Sequence, residues 1–141
     1  MAEVTLKGNP CQTAGDLPEV GSAAPDFELV GGDLGEKSLS DFAGKTVILN
    51  IVPSFDTPTC ALSVKAFNQK AGQLDDTEVV NVSMDLPFAQ KRFCESHQVD
   101  HVTSLSAFRN GAFGQDYGVG LVDGPLKGLL TRAVIVIGAD S

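Results

Sequence analysis

The run Thr46-Val-Ile-Leu-Asn-Ile-Val52 constrains this chain more than any other segment. It is nearly all apolar, largely β-branched, and lacks the alternation of a half-exposed strand, so it reads as a strand covered on both faces of a parallel or mixed sheet. Such a strand is central. The segments that follow supply its cover and its neighbours. Apolar residues recur at Cys60, Val64, Phe67, Ala71 and Leu74, one stripe of a helix that begins close to Cys60, with Lys65, Gln69 and Lys70 off the stripe. Glu78 to Met84 reads as the next strand, Phe88 to about Ser96 as a helix, and Val102 to about Leu105 as a third core strand. This β-α-β-α-β alternation predicts an α/β layer fold with helices packed on the sheet.

The remaining segments attach to that unit. Residues 3–14 alternate and then turn at Gly8-Asn9-Pro10, which predicts an N-terminal β-hairpin. Gly15 to Asp26 reads as an extended connection, Phe27 to Val30 as a short strand, and Gly31 to Gly44 as a loop with one helical turn at Ser40-Asp-Phe42. A short helical piece over Ala112 to Tyr117 precedes Ala133-Val-Ile-Val-Ile137, an apolar strand whose edges have no evident later partner. No internal repeat interrupts this order, and 141 residues suit a single domain spanning 1–141.

Charge and hydropathy remove whole classes of function. Ten basic against eighteen acidic residues give a net charge of −8, whose field repels a phosphate backbone, so no nucleic-acid partner is expected. No stretch approaches the ~18 consecutive apolar residues of a membrane span. The first fifteen residues lack the apolar core of a secretory signal, and the expected location is the cytoplasm. Three cysteines, Cys11, Cys60 and Cys94, form an odd set without a CxxC pair, unlike a secreted disulfide framework.

The chemistry concentrates in Pro53-Ser-Phe-Asp-Thr-Pro-Thr-Cys60, between the buried strand and the helix. A cysteine in a first helical turn has unpaired backbone N–H groups and the positive end of the helix dipole beside it, and both favour thiolate. Thr57 brings a hydroxyl near the sulfur, while Pro53 and Pro58 stiffen the loop and shield it from water.

Pro53-xxx-Thr57-xx-Cys60 matches the peroxiredoxin active-site pattern, and NIVPSFDTPTCALSVKAFN, SMDLPFAQKRFC, LSAFRNGAFGQDYGVG and DGPLKGLLTRAVIVI closely resemble the atypical two-cysteine branch of that family, the bacterial thiol peroxidases. The resemblance runs from about Val4 to Ile137. It implies a thioredoxin-like fold, a homodimer, and a peroxidase that reduces hydrogen peroxide and alkyl hydroperoxides with thioredoxin as reductant and no cofactor. Residue by residue, it implies Cys60 as peroxidatic cysteine, Thr57 as the hydroxyl orienting peroxide, Pro53 as the shield, Arg132 as the guanidinium beside the sulfur, and Cys94 as resolving cysteine in an intramolecular disulfide. Such chemistry needs a thiolate, donors on both peroxide oxygens and fixed positive charge, which Arg supplies better than Lys. The resemblance implies a further strand and helix after Ile137, so the sequence is either incomplete or that of a truncated form, and in the second case a sheet edge and a core face are expected to be uncovered.

Each residue has a plainer reading. Cys94 suits a half-buried helix position near Phe88 and Phe93, and Arg132 alone suits a snorkelling strand-end residue. Cys11 lies outside the motifs and reads as structural. Cys94, His97 and His101 have metal-like spacing, yet no fourth ligand is local, so no metal site is expected. The competing functions are a thioredoxin-like redox sensor without efficient turnover, discriminated by turnover with a reductant, and a metal-binding or chaperone-like domain, discriminated by metal content.

Overall fold

The computed structural model describes residues 3–6, 9–13, 24–32, 34–42, 44–55, 58–71, 76–97, 99, 102–109, 112–122 and 125–138. Its main sheet is built from β3 (Glu28–Val30), β4 (Glu36–Ser38), β5 (Thr46–Ile51), β6 (Thr77–Ser83), β7 (Thr103–Ser106) and β8 (Ala133–Ile137). The order across the sheet is β4-β3-β7-β6-β5-β8. Strands β5, β6 and β7 are parallel, joined through α1 (Pro58–Ala71) and α2 (Pro87–Ser96), while β8 runs antiparallel on the free side of β5. The strand expected to be central is thus flanked on both sides.

Alternation along these strands divides the interior in two. Val47, Leu49 and Ile51 of β5, Val80 and Val82 of β6 and Leu105 of β7 face a large cluster completed by Phe27, Val119, Leu130 and two aromatics, Phe113 from α3 (Ala112–Asp116) and the adjacent Tyr117. On the opposite face Val52 and Phe55 meet Val64 of α1, Phe93 of α2 and Val99. Two crossovers stepping the same way across a sheet lay their helices on one face, and the shared cluster of Val64 and Phe93 is the consequence. That face also carries polar groups: the aligned pair Asn50 and Asn81 is bonded Nδ2 to Oδ1 at 2.9 Å, and the Ser63 hydroxyl donates to Asn50 Oδ1 at 3.3 Å.

Several boundaries depart from the sequence reading. A separate hairpin forms from β1 (Glu3–Leu6) and β2 (Asn9–Gln12), so Asn9 and Pro10 belong to the second strand, opposite Leu6 and Thr5, and not to the turn. An edge strand tolerates proline because its outward N–H needs no ladder partner. Thr13 bridges to Leu121 and ties the hairpin to the body. The segment 31–44 holds β4 as well as its helical turn, a 3-10 turn over Leu39–Phe42. Glu36-Lys37-Ser38 carries no apolar alternation because it is an edge strand paired only with β3. Leu74, the last position of the α1 stripe, and most of the connection 15–26 lie outside the described residues. At the other edge, β8 leaves Val134 and Val136 exposed.

Candidate active site

The site forms where the parallel strands end. Val52 closes the ladder by donating its N–H to the Val82 carbonyl at 3.0 Å, after which the chain leaves the sheet at Pro53. Helix α1 opens on Pro58, a residue suited to a first helical position because its missing N–H has no helical partner to lose. Cys60 is the third residue of α1 and so lies in the turn where backbone N–H groups are unpaired and the dipole is positive. Its side chain is outside the described set, as is the whole of Thr57.

The antiparallel register of β8 brings a cation to the same end of the sheet. Ala133 pairs with Ile51, the last residue of β5, so exposed Arg132 enters the sheet beside Val52 and Pro53. Residues almost eighty positions apart in sequence are thus neighbours where β5 ends. Pro53 is half-buried there.

On the other side of β5, at the end of β6, stands a residue that the sequence reading did not single out. Asp85, between β6 and α2, accepts from the Ser54 hydroxyl on Oδ1 at 2.8 Å, and from the Phe55 N–H on Oδ2 at 2.7 Å. Ser83 also donates to Oδ2, at 2.8 Å. Its only sequence signal is an acidic residue just before the Leu86-Pro87 helix start, a pattern that reads equally well as a helix-capping residue.

Cys94 belongs to a different part of the fold. It is the eighth residue of α2, half-buried and present as a free thiol, with Sγ 3.5 Å from the Ser104 hydroxyl. Burial raises its pKa above the ordinary thiol value, the Ser104 contact partly opposes this, and Glu95 adds to it. It lines a cleft of about 330 Å³ with Lys37, Gln90, Lys91 and Val102. Both helices start at the carboxyl ends of adjacent parallel strands, so Cys94 sits five residues deeper along its helix than Cys60, about 7.5 Å at 1.5 Å per residue. Helices on one sheet face lie a further ~10 Å apart, beyond the ~7 Å Cα separation that a disulfide tolerates. The two cysteines belong to helices that share a face of the sheet, at different depths along them.

The remaining candidates fall elsewhere. His97, just past α2, stacks on Phe93 with ring centroids 4.3 Å apart, and its Nδ1 lies 3.0 Å from the Phe93 carbonyl. His101 is outside the described residues, and Cys11 is placed by the backbone of β2 alone. Among the described residues no group of three or more His, Cys, Asp or Glu side chains is arranged to hold a metal ion, and no helix is long and apolar enough to cross a membrane.

A mixed sheet with two helices on one face, a cysteine in the first turn after the central strand and an arginine delivered by the antiparallel neighbour define a class. The Redoxin family model matches residues 19–141, and the chain belongs to that family. The thiol peroxidase of Mycobacterium tuberculosis is 56% identical over 140 residues, covering 99% of this chain and 84% of the relative. That of Corynebacterium glutamicum is 49% identical over 137 residues, covering 97% and 82%. The crystal structure of a peroxiredoxin-like protein from Aquifex aeolicus superposes with a TM-score of 0.92 at 43% identity, covering 98% of this chain and 80% of that one. A thiol peroxidase from Chromobacterium violaceum, at 22% identity and a TM-score of 0.89, covers the same shares and shares the fold. Within its family the chain is a thiol-dependent peroxidase of the peroxiredoxin type, on a thioredoxin-like fold.

Proposed function

We propose that Cys60 is the peroxidatic nucleophile for hydrogen peroxide and alkyl hydroperoxides, and that Cys94 resolves it within the same chain. The Cys60 thiolate attacks one peroxide oxygen; the O–O bond breaks, the departing oxygen takes a proton to leave as water or alcohol, and the sulfur becomes a sulfenic acid. The Cys94 thiol then displaces hydroxide, which leaves as water after protonation, and an S–S bond forms. A dithiol reductant of the thioredoxin kind returns both thiols by exchange and is itself oxidised. Thr57 orients the peroxide, Pro53 shields the sulfur from water, and Arg132 stabilises both the thiolate and the charge developing on the leaving oxygen. One domain carries the whole cycle, acting as a homodimer in the cytoplasm.

The observation that carries this reading is the β5–β8 register, which sets Arg132 beside Pro53 at the end of the strand leading to Cys60. An arginine at that end of the sheet and a cysteine in the first turn of the next helix support a pairing of fixed positive charge with thiolate, as peroxide displacement requires. The test is steady-state peroxide consumption with thioredoxin. Cys60→Ser abolishes it, because a hydroxyl is a far weaker nucleophile than a thiolate at neutral pH. Arg132→Lys keeps the charge but loses the planar fork, and kcat/KM falls by about ten-fold or more. Wild-type turnover in Cys60→Ser refutes the nucleophile; unchanged kinetics in Arg132→Lys reduce Arg132 to a strand-end residue.

A further inference from the structure

The loop between β5 and α1 is held by one residue, Asp85, whose carboxylate ties the ends of two parallel strands and whose backbone carbonyl takes up the end of a third. From the end of β5, Ser54 Oγ and the Phe55 N–H donate to the two oxygens of Asp85 at 2.8 and 2.7 Å. From the end of β6, Ser83 Oγ donates to Asp85 Oδ2 at 2.8 Å and receives the Asp85 N–H at 3.2 Å. From the end of β7, Ser106 Oγ donates to the Asp85 carbonyl at 2.5 Å. Beneath them buried Gln90 donates to Ser83 Oγ at 3.0 Å and to the Leu105 carbonyl at 2.8 Å, so the hydroxyl that faces Asp85 is itself fixed. Hydrogen bonds to an ionised acceptor are roughly twice as strong as neutral ones, and here one of them fixes a backbone N–H two residues before Thr57. The same loop is pinned from its other side by the Phe55 ring, edge-on to Phe93 at 5.4 Å.

We propose that Asp85 is a positioning residue for peroxide reduction: it sets the conformation of the loop that carries Pro53 and Thr57 into α1, and through that loop the alignment of peroxide with the Cys60 sulfur. The proposal rests on Cys60 being the peroxidatic thiol. A carboxylate near a thiolate disfavours that thiolate electrostatically, so an acidic residue here contributes through geometry. Alignment errors near 1 Å cost displacement reactions up to ~100-fold, whereas thiolate formation depends on the helix terminus and nearby charge. Losing Asp85 therefore separates the two quantities.

The experiment is single-turnover oxidation of Cys60 in a Cys94→Ser parent, by stopped flow with hydrogen peroxide at 25 °C. It is paired with the rate of Cys60 alkylation by iodoacetamide across pH, read by peptide mass. In Asp85→Asn the charge is lost and the NH2 faces either the Phe55 and Ser83 donors or the Ser54 hydroxyl, so the charge-assisted hold on the loop weakens, and the peroxide rate constant falls by about ten-fold or more while alkylation at each pH changes by less than about three-fold. Ser54→Ala leaves the carboxylate and its other donors intact, so it folds even where Asp85→Asn does not, and it slows peroxide alone by about three-fold or more. A peroxide rate within two-fold of the parent in Ser54→Ala or in folded Asp85→Asn overturns the proposal. So does a loss matched by an equal loss of alkylation, which assigns Asp85 to thiolate formation, or a faster reaction, which makes it an electrostatic brake. A parent that does not react with peroxide at Cys60 overturns the underlying reading, and the parent's own trace separates that failure from the others.

Discussion

A thiol that is half-buried on one helix and a thiol in the first turn of another are different reagents, although both are cysteine. Burial holds the Cys94 pKa above the ordinary thiol value of about 8.5. Near pH 7 it is therefore protonated and alkylates more slowly than Cys60, and its rate continues to rise above pH 9; peptide mapping after timed alkylation measures both. The same shift has a sign in stability. Between the unfolded and folded pKa values the unfolded chain has lost the Cys94 proton while the folded chain keeps it, so the folded state binds more protons and stability falls as pH rises. The Cys94 contribution is fully present below the unfolded value and is lost as pH climbs through the folded one. Urea unfolding under reducing conditions is expected to show a steeper loss above about pH 8.5 in the wild type than in Cys94→Ser, with parallel behaviour below it.

Among the elements, α3 illustrates how closely two backbones approach without any apolar periodicity to announce it. A Cβ added at Gly114 would lie 3.0 Å from the Gly120 Cα and 3.3 Å from its nitrogen, and backbone has little room to retreat. Gly120 in turn forms an isolated bridge with Leu130, on the segment that leads to Arg132 and β8. Gly114→Ala is expected to cost about 1–3 kcal/mol in urea unfolding, an overpacking penalty. Nothing in the sequence marks Gly114, because a close approach between distant segments leaves no local pattern. The stripe from Cys60 to Ala71, by contrast, was legible since Val64 is buried against the sheet at helical spacing. Strand β4 was not, being three residues of Glu-Lys-Ser held by the ladder to β3 and by the Ser38 N–H donating to Asp41 of the following turn.

At the scale of the whole molecule, the proposed bond between Cys60 and Cys94 requires movement. Cys60 and Cys94 stand at different depths along helices that share a sheet face, and Cys94 is a free thiol in this conformation. Joining them draws two helix ends toward each other, and Phe55 and Phe93, which pack between the site loop and α2, must separate or slide. One equivalent of peroxide is expected to give a Cys60–Cys94 bond within one chain, with Cys11 left as a thiol and a monomer band on a non-reducing gel. Peptide mapping checks it: a bridge through Cys11, or disulfide-linked dimers as the main product, refutes the intramolecular route.

Periodicity, a local property, was enough to determine that β5 is a buried interior strand, though it lies next to the edge strand β8 and not at the middle of the six, and to determine both helices that follow, the order of the parallel unit and the position of Cys60 at a helix start. Four results were decided only by tertiary structure: β8 running antiparallel against β5, Arg132 arriving beside Pro53, Asp85 gathering three strand ends, and Cys94 lying deeper than Cys60. Each depends on register between segments remote in sequence. Register is set by which faces are buried together across the sheet, and a one-residue slip of β8 would turn its core face outward. The spacing of residues along a single chain segment carries no record of that choice.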